Sequence, residues 1–204
     1  MDMRKILAEE IAKGIITTGV EGDFDAVSCS SAGDYPSMGC SQWEGDRGEY
    51  LLSCIDGGNY YRNRTYSDIK NSGDLPYLKE LLGSKQGMEA QRMLLAEDCL
   101  VYVDALQQVP TLDDTRCLIY AGIWCPTSHY VVSQFLKNRV HYNLRSLTVL
   151  KDLFRTQYYR AAGVEEFYSV PYANRAERTY SYVAGIDLTT PYGIPAYGEA
   201  GNGR

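Results

Sequence analysis

Apolar residues recur at every third or fourth position along most of the chain, which is the spacing of an amphipathic helix. The clearest run, from Met88 to Leu106, predicts a long central helix over about 87–108 that Pro110 ends. Similar runs predict further helices over about 3–18, 47–54, 75–82, 113–124, 128–138, 143–161 and 172–183.

A stretch rich in serine and glycine interrupts this period. Residues 28–40 also contain Asp34 and Pro36, a composition that predicts a loop or a short hairpin. Residues 60–71 are polar and aromatic, and we interpret them as a loop on the substrate side. We therefore expect a mainly α fold of about eight helices, with at most a small β-hairpin near residues 28–42.

The chain has 204 residues, enough for one domain with a substantial core and few for two. We predict a single domain over residues 1–187. The Pro- and Gly-rich end, residues 188–204, has the composition of a tail or of the start of a linker.

Composition narrows the class of partner. Hydrophobic residues make up 45% of the chain and charged residues 23%, which is typical of a globular protein. The net charge of −6 argues against nucleic acid as a partner, because phosphate contacts need clustered Lys and Arg. The N-terminal residues do not have the pattern of a signal peptide, and the sequence has no run of about 20 apolar residues. We therefore predict no membrane span.

The cysteines do not predict a metal site. None of the six forms a CxxC pair, so a structural zinc site is not expected, and we predict neither a metal nor a cofactor. Reduced thiols are favoured over a disulfide framework, because a chain of this size needs no covalent staple. A bridge from Cys40 to Cys29 or to Cys54 remains open.

Among the carboxylates, Glu21 is the leading candidate for a general acid. It follows the apolar helix over 3–18, which Gly19 ends, and Phe24 comes three residues later. A partly desolvated Glu has a raised pKa and holds its proton at neutral pH. The alternative is an ordinary solvated Glu at a helix end.

A second carboxylate would come from the region just downstream. Glu44 is the best candidate because it adjoins Trp43, whereas Asp46 and Arg47 suggest a helix N-cap and a local salt bridge. The other acidic candidates are Asp23, Asp25 and Asp34. A single acid suffices if the substrate's own N-acetyl group assists or if the product is an internal anhydro sugar.

Two further features carry weaker hypotheses. The chain has 18 Tyr against 4 Phe. We assign most of the tyrosines to the edge of the core and a few near residues 21–47 to sugar stacking. Cys125 and His129 lie close in sequence and suggest a thiol nucleophile of an amidase or peptidase, although their order and apolar context disfavour it.

The run from Glu21 to Arg47 resembles the lysozyme-like superfamily of peptidoglycan-cleaving enzymes. Those families carry a catalytic Glu at a helix end, an aromatic residue three positions on, a loop of small residues and a Ser-x-Gly-x-x-Gln segment. Here these are Glu21, Phe24, the loop over 26–36, and the segment from Ser37 to Gln42.

The similarity is greatest to phage tail lysozymes and endolysin muramidase domains, and more distant to goose-type lysozymes and soluble lytic transglycosylases. The phage tail type continues with Gln-Trp-x-Gly-x-Arg and a Leu-Leu pair, matched here by Gln42, Trp43, Gly45, Arg47 and Leu51-Leu52. A weaker similarity is Tyr120-Ala121-Gly122, which lacks the Asn of the transglycosylase Tyr-Asn-Ala-Gly segment.

The resemblance implies a lysozyme-like fold and a glycoside hydrolase that cleaves the MurNAc–GlcNAc β-1,4 bond, with Glu21 as catalytic proton donor. It does not fix a second carboxylate, for which Glu44 stays the candidate by its position. Lytic transglycosylation of the same bond and non-catalytic wall binding remain alternatives. Expected substrate-binding residues are Tyr35, Ser37, Gln42, Trp43, Tyr120 and Trp124.

The expected partner is bacterial peptidoglycan. We expect a bacteriolytic domain that is monomeric. Such an enzyme would be made in the host cytoplasm without a signal peptide and would act at the cell wall, during phage-mediated lysis or wall penetration.

Overall fold

The periodic apolar runs form helices throughout the part of the chain that can be described. The computed structural model describes residues 2–19 and 22–188, except for the side chain of Thr127. Within these residues it has eight α-helices: α1 Met3–Thr18, α2 Gly45–Ser53, α3 Tyr66–Asn71, α4 Leu75–Gly83, α5 Lys85–Gln107, α6 Thr115–Lys137, α7 Leu147–Ala161 and α8 Ser169–Ala184. Two short 3-10 helices, Gly58–Tyr60 and Glu166–Tyr168, accompany them.

The strands form one small sheet. β1 Val27–Cys29 pairs antiparallel with β2 Pro36–Met38, and Ser28 lies opposite Ser37. The prediction of a mainly α fold with a small hairpin near residues 28–42 is therefore confirmed. None of the helices in the described part of the chain is long and apolar enough to cross a membrane.

The chain divides into two compact units, Met1–Tyr102 and Val103–Arg204, with the boundary inside α5. The single domain over 1–187 stays a prediction. Most of the predicted tail lies outside the described residues, which end at Leu188.

In the first unit, local chemistry sets both ends of α1. The Asp2 carboxylate accepts a hydrogen bond from the Arg4 amide at 3.1 Å, and Gly19 closes the helix in the left-handed conformation at φ 58°. The apolar side chains of Ile6, Leu7, Ile11 and Ile15 are buried. The helix thus ends at Thr18, three residues before Glu21, as its sequence predicts.

In the second unit, α7 packs against both α6 and α8 around an aromatic core. The Trp124 ring lies 4.8 Å from that of Phe154 and 5.2 Å from that of Tyr158, between ring centroids. The break that the sequence predicts between the helices over 113–124 and 128–138 appears as a kink in α6 at Ser128, whose hydroxyl accepts from the Val131 amide at 3.3 Å.

The stretch over 60–71, predicted to be a loop, contains α3. Thr65 and Asp68 form a reciprocal capping box at its start. A helix of six residues is too short to show an apolar period, so the pattern missed it.

A polar cluster holds the turn between α3 and α4. The Asp74 carboxylate accepts hydrogen bonds from Ser72 Oγ at 2.6 Å, Arg64 Nη1 at 2.8 Å and Tyr60 Oη at 3.1 Å. These bonds, from Ser72 first and then Arg64, lower the pKa of Asp74 below its ordinary value.

The lowered pKa predicts a pH-dependent contribution to stability. Because unfolded Asp74 binds a proton at a higher pH than folded Asp74, its contribution is present above its ordinary pKa and is lost as the pH falls through the folded value. We expect Asp74→Asn to be less stable than wild type near neutral pH, with a difference that shrinks in acid. Urea unfolding across a pH series measures this, with the exposed Asp56→Asn as control. A difference that persists unchanged in acid would contradict the assignment.

Candidate functional site

The residues that follow Glu21 lie against the Ser37–Gln42 segment. Glu21 itself lies outside the described residues. Beyond it, the Gly39 amide donates to the Ala26 carbonyl at 2.8 Å. A Cβ built at Gly22 would lie 3.5 Å from the Gly39 carbonyl oxygen. The fold therefore joins the two parts of the sequence that carried the resemblance, from Gly22 onward.

The Ser37–Gln42 segment forms a tight turn that projects Gln42. Met38 and Trp43 exchange backbone hydrogen bonds, at 3.0 Å from the Met38 amide and 2.9 Å from the Trp43 amide. Gln42 lies between them with φ 52°, a left-handed conformation that non-glycine residues seldom adopt, and its side chain is exposed. Ser37 is buried, and its hydroxyl donates to the Gln42 carbonyl at 3.4 Å. Ser37 supports the turn, and Gln42 faces solvent.

Trp43 and Arg47 converge on one carboxylate in α5. The Trp43 indole Nε1 donates to Asp98 Oδ2 at 2.8 Å, and Arg47 Nη2 donates to Asp98 Oδ1. Trp43 is only 5% exposed, so in this structure its ring packs in the core and offers little surface to a sugar. The salt bridge expected of Arg47 is not local, because its partner lies about fifty residues along the chain.

The remaining candidates of the first unit are partly accessible. Glu44 is half-buried, and its Oε2 accepts a hydrogen bond from Ser30 Oγ at 2.8 Å. Tyr35 is also half-buried, with its ring against Gly33. Asp46 lies in the first turn of α2, whose N-cap position is occupied by Glu44.

Tyr120 and Trp124 belong to the core of the second unit. Neither has exposed surface, and the Tyr120 hydroxyl donates to the Ala176 carbonyl at 3.2 Å. Burial raises the pKa of Tyr120 far above its ordinary value. Their predicted role as cleft walls has no support in this structure. The sequence around them, apolar on every side from Cys117 to Cys125, is typical of a buried helix.

One residue that the sequence analysis did not single out connects the candidate segments. Gln91 of α5 is fully buried, and its Oε1 accepts from the Cys40 amide at 2.9 Å. Its Nε2 donates to the carbonyls of Phe24 and Leu82, both at 3.0 Å. The only sequence signal was a Gln within an otherwise apolar helical period.

An open groove of about 760 Å³ runs beside the segment that follows Glu21. It is lined by Asp23, Phe24, Asp25, Pro76, Lys79, Glu80, Gly83 and Met88. The packing is close at one point, since a Cβ at Gly83 would lie 3.4 Å from that of Asp25. Three carboxylates and one ammonium group make the groove acidic, and Phe24, Pro76 and Met88 supply its apolar surface.

Other chemistry finds little support in the described residues. The Cys125 thiol is buried, donates to the Ala121 carbonyl at 3.5 Å and has a pKa raised by burial, which disfavours a thiolate nucleophile. All six cysteines are free thiols. The described part of the chain holds no cluster of three or more His, Cys, Asp or Glu side chains that is suited to a metal ion.

No protein-family model, curated protein or solved structure matches this chain.

The shared carboxylate of Asp98 yields a stability prediction. Asp98→Ala leaves the Trp43 indole N–H without its acceptor and removes the closest partner of Arg47, so we expect a loss of about 2 kcal/mol in unfolding free energy. Urea unfolding measures the loss, and tryptophan emission reports the changed surroundings of Trp43. The matched control is Glu97→Ala, because Glu97 is half-exposed and lies 3.7 Å from Arg47; we expect less than about 0.5 kcal/mol there. Equal losses in the two variants would contradict the anchoring role of Asp98.

Proposed function

We propose that this protein cleaves the glycan strand of bacterial peptidoglycan at the MurNAc–GlcNAc β-1,4 bond, during phage-mediated lysis or wall penetration. Glu21 protonates the leaving glycosidic oxygen, and Gln42 binds an N-acetyl sugar beside it. The observation that carries the proposal is the contact of Gly22 and Ala26 with Gly39, which brings the chain next to Glu21 against the Ser37–Gln42 segment.

The turn around Gln42 supports a binding role for this residue. A left-handed non-glycine residue costs of order 1–3 kcal/mol, and such strain concentrates at functional sites. Gln42 is strained and exposed, and its backbone is held on both sides by the Met38–Trp43 pairing. An exposed amide on a rigid turn is well suited to pair with the amide of an N-acetyl group.

The groove supports a polymeric substrate. It is lined by Asp23, Phe24 and Asp25, two to four residues beyond Glu21, and it is an open surface groove rather than an enclosed cavity. A glycan strand needs such a channel on either side of the bond that is cut.

The mechanism after protonation has two routes. A second carboxylate, for which Glu44 is the candidate held by Ser30, activates water or attacks the sugar directly. In the other route the substrate's own groups complete the reaction, and the product ends in an anhydro sugar.

Replacement of the proposed proton donor tests the function. We expect Glu21→Gln to lower the rate of glycan cleavage by at least about 100-fold, because general acid catalysis contributes that much or more. Mass spectrometry of soluble products from purified peptidoglycan measures it, with exposed Glu89→Gln on α5 as the matched control. Reducing MurNAc ends identify a hydrolase, and anhydro-MurNAc ends a transglycosylase. Full activity of Glu21→Gln would exclude Glu21, and an inactive wild type would favour a wall-binding domain.

The strain at Gln42 allows binding to be separated from stability. Gln42→Gly relieves the left-handed backbone, so we expect unfolding free energy to stay equal or rise by up to about 1 kcal/mol. Without the amide, affinity for a GlcNAc oligosaccharide should fall about tenfold. Calorimetry measures both quantities. Asn63→Gly is the control, because Asn63 is also exposed and left-handed, at φ 59°. Unchanged affinity in Gln42→Gly would remove Gln42 from the site.

A further inference from the structure

The buried amide of Gln91 makes hydrogen bonds at both of its ends. Its oxygen accepts from the Cys40 amide, and its nitrogen donates to the carbonyls of Phe24 and Leu82. All three partners are backbone groups, and the side chain is fully buried. Both Nε2 protons are therefore used, inside the core, without competition from water.

The surroundings of Gln91 favour an amide side chain at this position. A Cβ at Gly39 would lie 2.2 Å from Gln91 Oε1, so the glycine allows the amide to approach the turn. Gly39 adopts φ 72°, a conformation that also favours glycine. A carboxylate in place of the amide would offer no donor to the two carbonyls, and an apolar side chain would leave all three backbone groups unpaired.

The three partners lie on the elements of the proposed site. Phe24 is three residues beyond Glu21 and lines the groove. Cys40 is two residues before Gln42. Leu82 is next to Gly83, where α4 borders the same groove.

We infer that Gln91 is a positioning residue, which fixes the separation between Phe24, three residues after Glu21, and the turn that carries Cys40 and Gln42. This inference rests on the proposed function. Both ends of the Gln91 amide are bonded to backbone groups, so Gln91 acts on the site through the backbone of Phe24 and Cys40. A displacement of about 1 Å between a catalytic acid and a bound sugar costs on the order of 100-fold in rate, whereas the bound sugar itself loses less affinity.

The test separates positioning from stability. Gln91→Met keeps the length and removes the hydrogen bonds, and Gln91→Asn keeps the amide but shortens its reach. The control is Leu95→Ala, one turn along α5 and equally buried, which destabilises the core but removes none of the three hydrogen bonds of Gln91. Each variant is assayed for kcat and KM on purified peptidoglycan, at a temperature where circular dichroism shows it folded.

We expect Gln91→Met to lower kcat about 100-fold with a KM change of less than about threefold, while folded Leu95→Ala keeps a kcat close to wild type. Gln91→Asn should recover part of the lost kcat. If Gln91→Met does not fold, Gln91→Asn alone decides, through a kcat clearly below that of Leu95→Ala. Wild-type kcat in a folded Gln91 variant, or an equal kcat loss in Leu95→Ala, overturns the positioning role.

Failure of the proposed function gives a different result. In that case wild type releases no glycan fragments, or Glu21→Gln releases as many as wild type. If instead wild type is active, Glu21→Gln is inactive and folded Gln91→Met is fully active, only the inference about Gln91 is overturned. Amide hydrogen exchange at Cys40 supplies a second readout: exchange that is no faster in Gln91→Met than in Leu95→Ala overturns the inference.

Discussion

The first unit depends on one buried amide that must find three partners. A primary amide transferred from water into a core without hydrogen bonds costs several kcal/mol, so Gln91 is tolerated only where the backbone meets all its needs. Segments far apart in sequence, at Phe24, Cys40 and Leu82, satisfy it together. These three bonds tie the backbone at Phe24 and Leu82 to the turn at Cys40 through one side chain.

The Gln-Trp-x-Gly-x-Arg motif divides into two kinds of residue. Trp43 and Arg47 point to Asp98 of α5 and hold the turn, with the indole ring buried. Gln42 points outward from the same turn at a strained φ. Such a motif suits a side chain that must be held in one orientation, because the surrounding contacts have to offset the free-energy cost of the strained backbone. Asp98 and Gln91 lie on the same helix, so α5 serves as the common support.

Much of the fold followed from the sequence, and the long-range contacts did not. The helices over 3–18, 75–82 and 87–108 were predicted closely because each repeats its apolar residues over two or more turns, and the hairpin followed from Ser, Gly and Pro. The hydrogen-bond partners of Trp43 and Gln91 could not be predicted, because contacts between residues about fifty positions apart produce no repeating pattern in the sequence. Tyr120 was placed at a cleft on a three-residue similarity, and Trp124 was added as a candidate wall residue, although the apolar stretch around them is typical of a buried helix.

The location of the candidate residues limits where any chemistry takes place. Every described partner of the proposed site, from Gly22 to Asp98, belongs to the first unit. Tyr120 and Trp124 of the second unit, which were predicted to line a cleft, are instead buried in the core of that unit. Under the proposed function, the surface on which a sugar stacks would come from the first unit, where Phe24 lines the groove and Tyr50, Tyr60 and Tyr77 are exposed. In the same proposal, Gln42 would pair with an N-acetyl group from a turn that the Met38–Trp43 backbone pairing holds in place, so its contribution would depend on how precisely that turn is held.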